Sequence, residues 1–449
     1  MARGSLPSSD VANLGLAPEG ASRIAWAGSQ MPALRAVRER FVAQRPLEGI
    51  RVAACLHVTA ETANLVGTLL AGGASAALCS ANPLSAQDDI AAALVVDHGV
   101  EVRALRGEDH ETYAEHVRAL LAGSPQVTID DGADLLMTAH AGGEQLLYGL
   151  IGGTEETTTG LVRLRRWEEQ GGLACPVLAV NEARTERSLN DRHGTGQSAL
   201  DGIVRASNML LAGHTVVVIG YGWAGQGIAE RARGAGAVVI VCEVDPLRGL
   251  EARMAGYQVM PALAAAPRGD VFVTVTGSRR VLRGEHFARM KDGALLANAG
   301  HFDVELDLDE LRSLASGGVR DVRPLIEQYD LGDGRKLNLL AHGRVVNLAA
   351  GEGHPAAVMD ISFALQALCV EELVRRCGEL SPGVHQVPAA IDREVGRLKL
   401  AALGVEIDEP TLEQEHYRES WGPGAAAVGA DRRVSGGSGA PRSAAFGPV

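Results

Sequence analysis

Short apolar runs at 50–56, 74–79, 100–105 and 127–130 alternate with Ala- and Leu-rich stretches of helical length. A strand-then-helix rhythm of this kind predicts βαβ units around a parallel sheet. A second series with the same rhythm begins at 215–219 and continues through 238–242, 270–276 and 294–298. The connecting stretch 188–212 reads mostly as one helix, and 357–376 reads as another long one. Two α/β domains follow, the second inserted into the first or placed after it. Both ends are low in complexity. Residues 424–449 combine small residues with Pro and Gly and offer too little to bury, which predicts a mobile tail. No internal repeat interrupts this organisation.

The apolar run 215–219 leads straight into Gly220, Gly222 and Gly225 in G-x-G-x-x-G spacing, and a helical stretch follows. The first glycine permits a tight turn and the second lets backbone approach a pyrophosphate. The third lets the helix pack closely on the strand, with its N-terminus toward the phosphates. Glu243 closes the next strand 18 positions after Gly225. A carboxylate there accepts hydrogen bonds from a ribose 2′-hydroxyl and repels a 2′-phosphate, so the pattern favours NAD over NADP.

Composition narrows the classes. A chain of 449 residues has two or three domains as its prior. The net charge of −13 argues against a nucleic-acid or anionic-membrane partner. Six scattered cysteines without a CxxC pair fit a reducing compartment and no structural zinc. Without an apolar leader or a run of spanning length, a soluble cytoplasmic protein is expected. Only Lys291, Lys336 and Lys399 are lysines among the 42 basic residues.

Polar residues gather where loops should follow strands: Leu56, His57, Thr59 and Glu61; Asp130, Asp131 and Asp134; Glu155 to Gly160; Asn298 to Asp303; and Gly353, His354, Pro355. Each has an ordinary structural explanation, such as a helix cap at Glu155 to Thr159 or a turn at Asp130 and Asp131. Ligands of open α/β sheets bind outside the carboxyl ends of strands, where these loops fall. Together with the nucleotide fingerprint they predict one composite site, an NAD-dependent enzyme with His and carboxylate groups in a cleft.

The ordered set is more specific. Ala54 to Thr59, Ile129 to Gly132, Glu155 to Gly160, Asp201 to Ala206, Gly220 to Gly222, Glu243 to Pro246, Gly300 to Glu305 and Gly353 to Pro355 together resemble the adenosylhomocysteinase family, from about Val11 to about Pro423. The resemblance implies a substrate domain split into 11–190 and 354–400 around an inserted Rossmann-type NAD domain, 191–353. A C-terminal oligomerisation segment at 401–423, the tail at 424–449 and a homotetramer are implied with it. It also implies NAD used catalytically on an adenine nucleoside: oxidation at the 3′ carbon, loss of the 4′ proton and elimination of the 5′ substituent. His57 and Asp131 would move protons at the 5′ position, and Glu156 and His301 would meet the ribose hydroxyls. Leu56, Thr59, Glu61 and His354 would bind the substrate, the last three at its adenine end. Thr157, Thr158, Thr159, Gly220, Gly222, Gly225, Glu243 and Asn347 would hold NAD.

Two departures accompany the resemblance. The family carries a lysine and an Asp-Asn pair, beside the 3′-hydroxyl and the 4′ hydrogen, where this chain has Glu186, Asn190 and Asp191. A carboxyl has a reference pKa of ~4.3 against ~10.4 for an ammonium, so the exchange reads as charge reversal. Glu186 can serve as a base if burial raises its pKa, and Asp191 is a candidate to take over from the lost aspartate. The tail also lacks the family's Lys and Tyr, which predicts looser NAD. The expectation is therefore an enzyme retuned to a modified sugar, for example one removing 5′ water in nucleoside natural-product biosynthesis. The alternatives are ordinary S-adenosylhomocysteine hydrolysis and a non-catalytic NAD- and adenosine-binding regulator.

Overall fold

The computed structural model describes residues 6–301 and 303–419. One compact unit runs to Ala402 and a second begins at Leu403. The predicted tail at 424–449 lies outside the described residues.

The larger unit contains two eight-stranded sheets. The first is built from β1 (Asp10–Val11), β2 (Arg51–Leu56), β3 (Ser75–Ser80), β4 (Glu101–Ala104), β5 (Val127–Asp130), β6 (Gly152–Glu155) and β7 (Pro176–Ala179). The second comprises β8 (Thr215–Ile219), β9 (Val238–Cys242), β10 (Gln258–Val259), β11 (Val271–Thr274), β12 (Leu295–Asn298), β13 (Gly318–Arg323), β14 (Ile326–Asp330) and β15 (Lys336–Leu340). After it the chain returns, and β16 (Gly383–Gln386) pairs with β7 to complete the first sheet. The orders are β1-β4-β3-β2-β5-β6-β7-β16 and β10-β9-β8-β11-β12-β15-β14-β13. Order reverses beside β2 in one sheet and beside β8 in the other, which opens a crevice at the carboxyl ends of each.

The structure corrects one expectation and refines two. The second sheet is not wholly parallel, because β14 runs antiparallel to both β13 and β15. Its β13 is exposed along its length, so the stretch carries no apolar run to read. The low-complexity start at 1–10 already holds structure: Asp10 and Val11 pair with β4, and Ser9 accepts from the Val102 N–H at 3.1 Å. The stretch 188–212 is wound as a π-helix over Glu186–Thr195 and an α-helix over Gly196–Ser207, and it stops where Asn208 turns left-handed at φ 55°. π-winding inside helices is rare and is found frequently at functional sites.

The Ala356–Arg375 helix crosses the first domain's core and is buried nearly all round, Asp360, Ser362 and Gln366 included. Asp360 accepts from the Ala33 and Leu34 N–H groups at 3.1 and 2.8 Å, at the start of the Pro32–Gln44 helix. It also pairs with Lys399 at 2.8 Å. One buried carboxylate thus ties together three helices, counting the Ala389–Ala402 helix that carries Lys399. The same sheet's core includes fully buried Leu34, Phe41, Leu65 and Leu69, each contributing about 1.5–3 kcal/mol on leaving water. Among the described residues no helix is long and apolar enough to cross a membrane.

In the smaller unit, Thr411 and Gln414 cap the Leu412–Glu419 helix reciprocally, side chain to backbone N–H, at 3.2 and 2.9 Å.

Candidate active site

Two fully buried carboxyls brace the loops that follow β5 and β6. Asp130 ends β5 and accepts from the Leu135 and Leu136 N–H groups at 2.8 and 3.2 Å, capping the next helix. Burial nonetheless pushes its carboxyl up to about 7. Glu155 ends β6 and accepts from the Gly132 and Thr157 N–H groups, both at 2.9 Å, and from Thr157 Oγ1 at 2.7 Å. A Cβ on Gly160 would meet the Glu155 carboxyl at 2.2 Å, so this close approach requires glycine. The bracing leaves the neighbours Asp131 and Glu156 as the groups that face the cleft.

Asp131 Oδ2 lies 3.2 Å from His57 Nε2, and Oδ1 lies 3.6 Å from His301 Nδ1. The two imidazole rings are 6.4 Å apart. His57 follows β2, and its Nδ1 shares a 2.7 Å hydrogen bond with Ser85 Oγ. Burial is the larger influence on His57 and pushes its pKa down; Asp131 opposes this and His301 adds to it. His301 follows β12, where Asn298 braces the loop by accepting from the Gly300 N–H at 2.8 Å. The second domain thereby delivers a side chain to the first domain's carboxylate. Gly132, at φ +113°, gives His301 room, since a Cβ there would stand 3.3 Å from its Nε2.

Beside this trio lies a carboxyl group set. Glu156 accepts hydrogen bonds from Ser362 and Gln366, one turn apart on the Ala356–Arg375 helix. Burial still pushes it up to about 7. Glu186 is 1% exposed and accepts from Asn190 Nδ2. Burial first, then the proximity of Glu156 and Asp191, drives its pKa well above the carboxylate range. Asp191 is also pushed up to about 7 by its enclosure, with Arg187 and Asn181 opposing. Enclosure thus disfavours the charged form of Glu186, the condition set for it to serve as a base.

His354 joins the two groups. Its Nδ1 meets Asn190 Oδ1 at 2.7 Å and its Nε2 meets Thr195 Oγ1 at 3.1 Å. Burial lowers its pKa to about 4, with His57 adding to the effect. His354 thus stands with Asn190 and Thr195. Thr59 instead caps the Ala60–Ala71 helix, and Glu61, raised by burial, feels Thr59, Arg23 and Glu352. Leu56 is buried at the end of β2.

At β8 the residues fit a dinucleotide. Gly220 sits at φ +102°, and a Cβ on Gly225 would lie 2.1 Å from Gly220 O. Gly222 opens the Trp223–Gly234 helix without a side-chain cap, which leaves its leading N–H groups to an anion. Glu243 stands against this turn and accepts from the Tyr221 N–H at 2.6 Å. Asn347 donates to Ser198 at 3.2 Å, while its buried Oδ1 has no hydrogen-bond partner. That oxygen suits a carboxamide N–H donor. Thr157 caps the Thr158–Glu169 helix, Thr158 Oγ1 donates to Asn181 at 2.7 Å, and Thr159 shares that first turn. A separate cavity of about 340 Å³, lined by His214, Asp270 and Asn338 among others, lies at the amino ends of the second sheet's strands and contains none of these groups.

Ser85, Thr195, Ser362 and Gln366 were not singled out from the sequence. For Ser362 and Gln366 a signal existed: two polar residues, i and i+4, inside an otherwise apolar helix.

An NAD cradle on one α/β sheet, together with His and carboxyl groups gathered from both sheets, defines an NAD-binding α/β enzyme. The family model described as S-adenosyl-L-homocysteine hydrolase matches residues 8–147, and that of the same enzyme's NAD binding domain matches 191–353. The adenosylhomocysteinase of Gloeobacter violaceus is 55% identical over 415 residues, 92% of this chain and 97% of that one. That of Aquifex aeolicus is 56% identical over 412 residues, 92% and 98% of the two chains. The S-inosyl-L-homocysteine hydrolase of Methanopyrus kandleri is 52% identical over 409, 91% and 96%. The chain belongs to the adenosylhomocysteinase family, and its cofactor is NAD.

Proposed function

We propose that this chain hydrolyses S-adenosylhomocysteine to adenosine and homocysteine by redox-neutral chemistry. One observation carries the reading: His57, Asp131, His301 and His354, drawn from both sheets and the crossover between them, converge beside three enclosed carboxyls. NAD supplies the removal and return of a hydride at the ribose 3′ carbon. His57, held neutral by burial and 3.2 Å from Asp131, exchanges protons at the 5′ position with the leaving sulfur and the incoming water. Glu156 and Asp191, each near neutrality, are poised to take and return a proton at the sugar. Glu243 holds the adenosine ribose of NAD, and Asn347 its carboxamide.

The departures at Glu186, Asn190 and Asp191 suggested a modified sugar and loss of 5′ water. Identity of 52–56% over nine-tenths of the chain to named hydrolases supports ordinary hydrolysis instead. We propose a homotetramer as well. Val244, Leu247 and Met254, exposed around the Pro246–Met254 helix, offer apolar surface for a second copy, and sedimentation velocity reads the outcome.

The deciding assay measures homocysteine released from S-adenosylhomocysteine, with S-inosylhomocysteine in parallel. Release of homocysteine is expected. None, together with reduced cofactor on adding adenosine, would return the reading to an altered sugar. Binding of both ligands without any reduced cofactor would leave only the regulator.

A further inference from the structure

Glu186 has one oxygen engaged and one idle. Oε1 accepts from Asn190 Nδ2, whereas Oε2 is buried and has no hydrogen-bond partner. Ser362, the hydroxyl beside Glu186, donates its proton to Glu156 and is engaged there. The groups that face Glu186 are thus two further carboxyls, Glu156 and Asp191, one amide and one committed hydroxyl. An ionised carboxylate in that company is left with an unsatisfied buried charge, whereas an un-ionised acid has a proton to offer.

Direction is set from the other side. In the tautomer of neutral His354 that carries its proton on Nδ1, that N–H donates to Asn190 Oδ1 and Nε2 accepts from Thr195 Oγ1. With its oxygen on His354, Asn190 presents its N–H to Glu186 Oε1. The acid proton is then displaced to Oε2, the idle oxygen.

We propose that Glu186 acts as an un-ionised acid, aimed by the Thr195–His354–Asn190 chain, whose Oε2–H hydrogen-bonds the 3′ oxygen of the nucleoside. This rests on the reading that a 3′ ketone forms in the cleft. When the C4′–H bond breaks, the proton goes to a neighbouring carboxylate and the electron pair moves toward the 3′ oxygen. A fixed donor there stabilises the developing charge and keeps its own proton. Glu186 is then a catalytic residue and Asn190 a positioning residue.

The test uses the full-length, NAD-loaded protein. Infrared difference spectra of wild type against Glu186→Gln should show the carbonyl band of an un-ionised carboxylic acid near neutral pH, and Asn190→Asp should shift it. Exchange of deuterium into the 4′ position of adenosine supplies the kinetic arm. Glu186→Leu should slow it by about 100-fold, the usual effect of losing one such donor. Glu186→Gln, whose amide still donates, should stay within about tenfold of wild type. An ionised Glu186, or a glutamine variant as slow as the leucine one, overturns the proposal. A wild-type enzyme that neither exchanges deuterium nor reduces its cofactor removes the ketone reading itself, a result visible without any variant.

Discussion

Glu156 illustrates how a single residue couples folding to proton uptake. Burial raises its pKa to about 7, so folding favours the un-ionised form. The stability tied to it is complete below the ordinary carboxylate range and is lost as pH rises through about 7. Glu186 and Asp191 act with the same sign. His57 and His354 act oppositely, because burial lowers their pKa values. Their contribution is complete above about 6.5 and is lost as pH falls, at His354 toward about 4. The opposing terms overlap below about 6.5, and above it only the carboxyls remain. Thermal melts of wild type should therefore decline from about pH 6.5 to 8, and Glu156→Gln should flatten that decline. An equally steep slope in the variant would assign the effect elsewhere. The sequence placed His57, Asp131, Glu156 and His354 because each follows a strand or precedes a helix in a recognisable string. At Glu186 it shows only a change of side chain, because whether a carboxyl is charged depends on enclosure, which spacing does not encode.

Among elements, the π-wound stretch Glu186–Thr195 contributes Glu186, Asn190, Asp191 and Thr195, and two glycines let it sit where it does. A Cβ on Gly194 would stand 2.9 Å from both Asn190 Oδ1 and His354 Nδ1. Gly194→Ala should separate that pair and weaken adenosine binding, read by titration calorimetry, at a stability cost of about 1–3 kcal/mol. Gly227 faces Arg192 O so closely that a Cβ would lie 1.7 Å away. Gly227→Ala should therefore lift the Trp223–Gly234 helix and lower the melting temperature more than Gly194→Ala does. At the opposite edge, His116 stands 3.0 Å from both Asp10 and Glu108, clasping β1 to the sheet. His116→Ala should speed amide exchange at Val11 while leaving exchange in β2 unchanged. Elements with continuous apolar cores, β5, β8 and β9, could be read to the residue. The antiparallel β13–β15 ribbon could not, since its pairing rather than its composition makes it a strand.

For the whole molecule, cofactor and fold are linked by mass action. NAD at 100 times its Kd should add about 2.7 kcal/mol to the folded state of the larger unit. NADP should add far less if Glu243, held against the glycine turn, meets the nucleotide ribose as proposed and repels a 2′-phosphate. Equal shifts by both nucleotides in a melting assay would contradict that placement. The two sheets were legible as two strand series, yet the route by which β16 rejoins the first sheet was not. A four-residue edge strand is too short to announce its partner.

Lys399 reaches the chemistry through its neighbour. Its ammonium neutralises Asp360, two positions from Ser362 on the helix that also carries Gln366, and those two side chains tether Glu156. Neutralising this lone ammonium, by acetylation or as Lys399→Met, would leave a sealed-in negative charge beneath the tether. The damage would surface as a lower kcat with NAD affinity unchanged, an inhibition delivered from the back of the protein by a reagent that never enters the cleft.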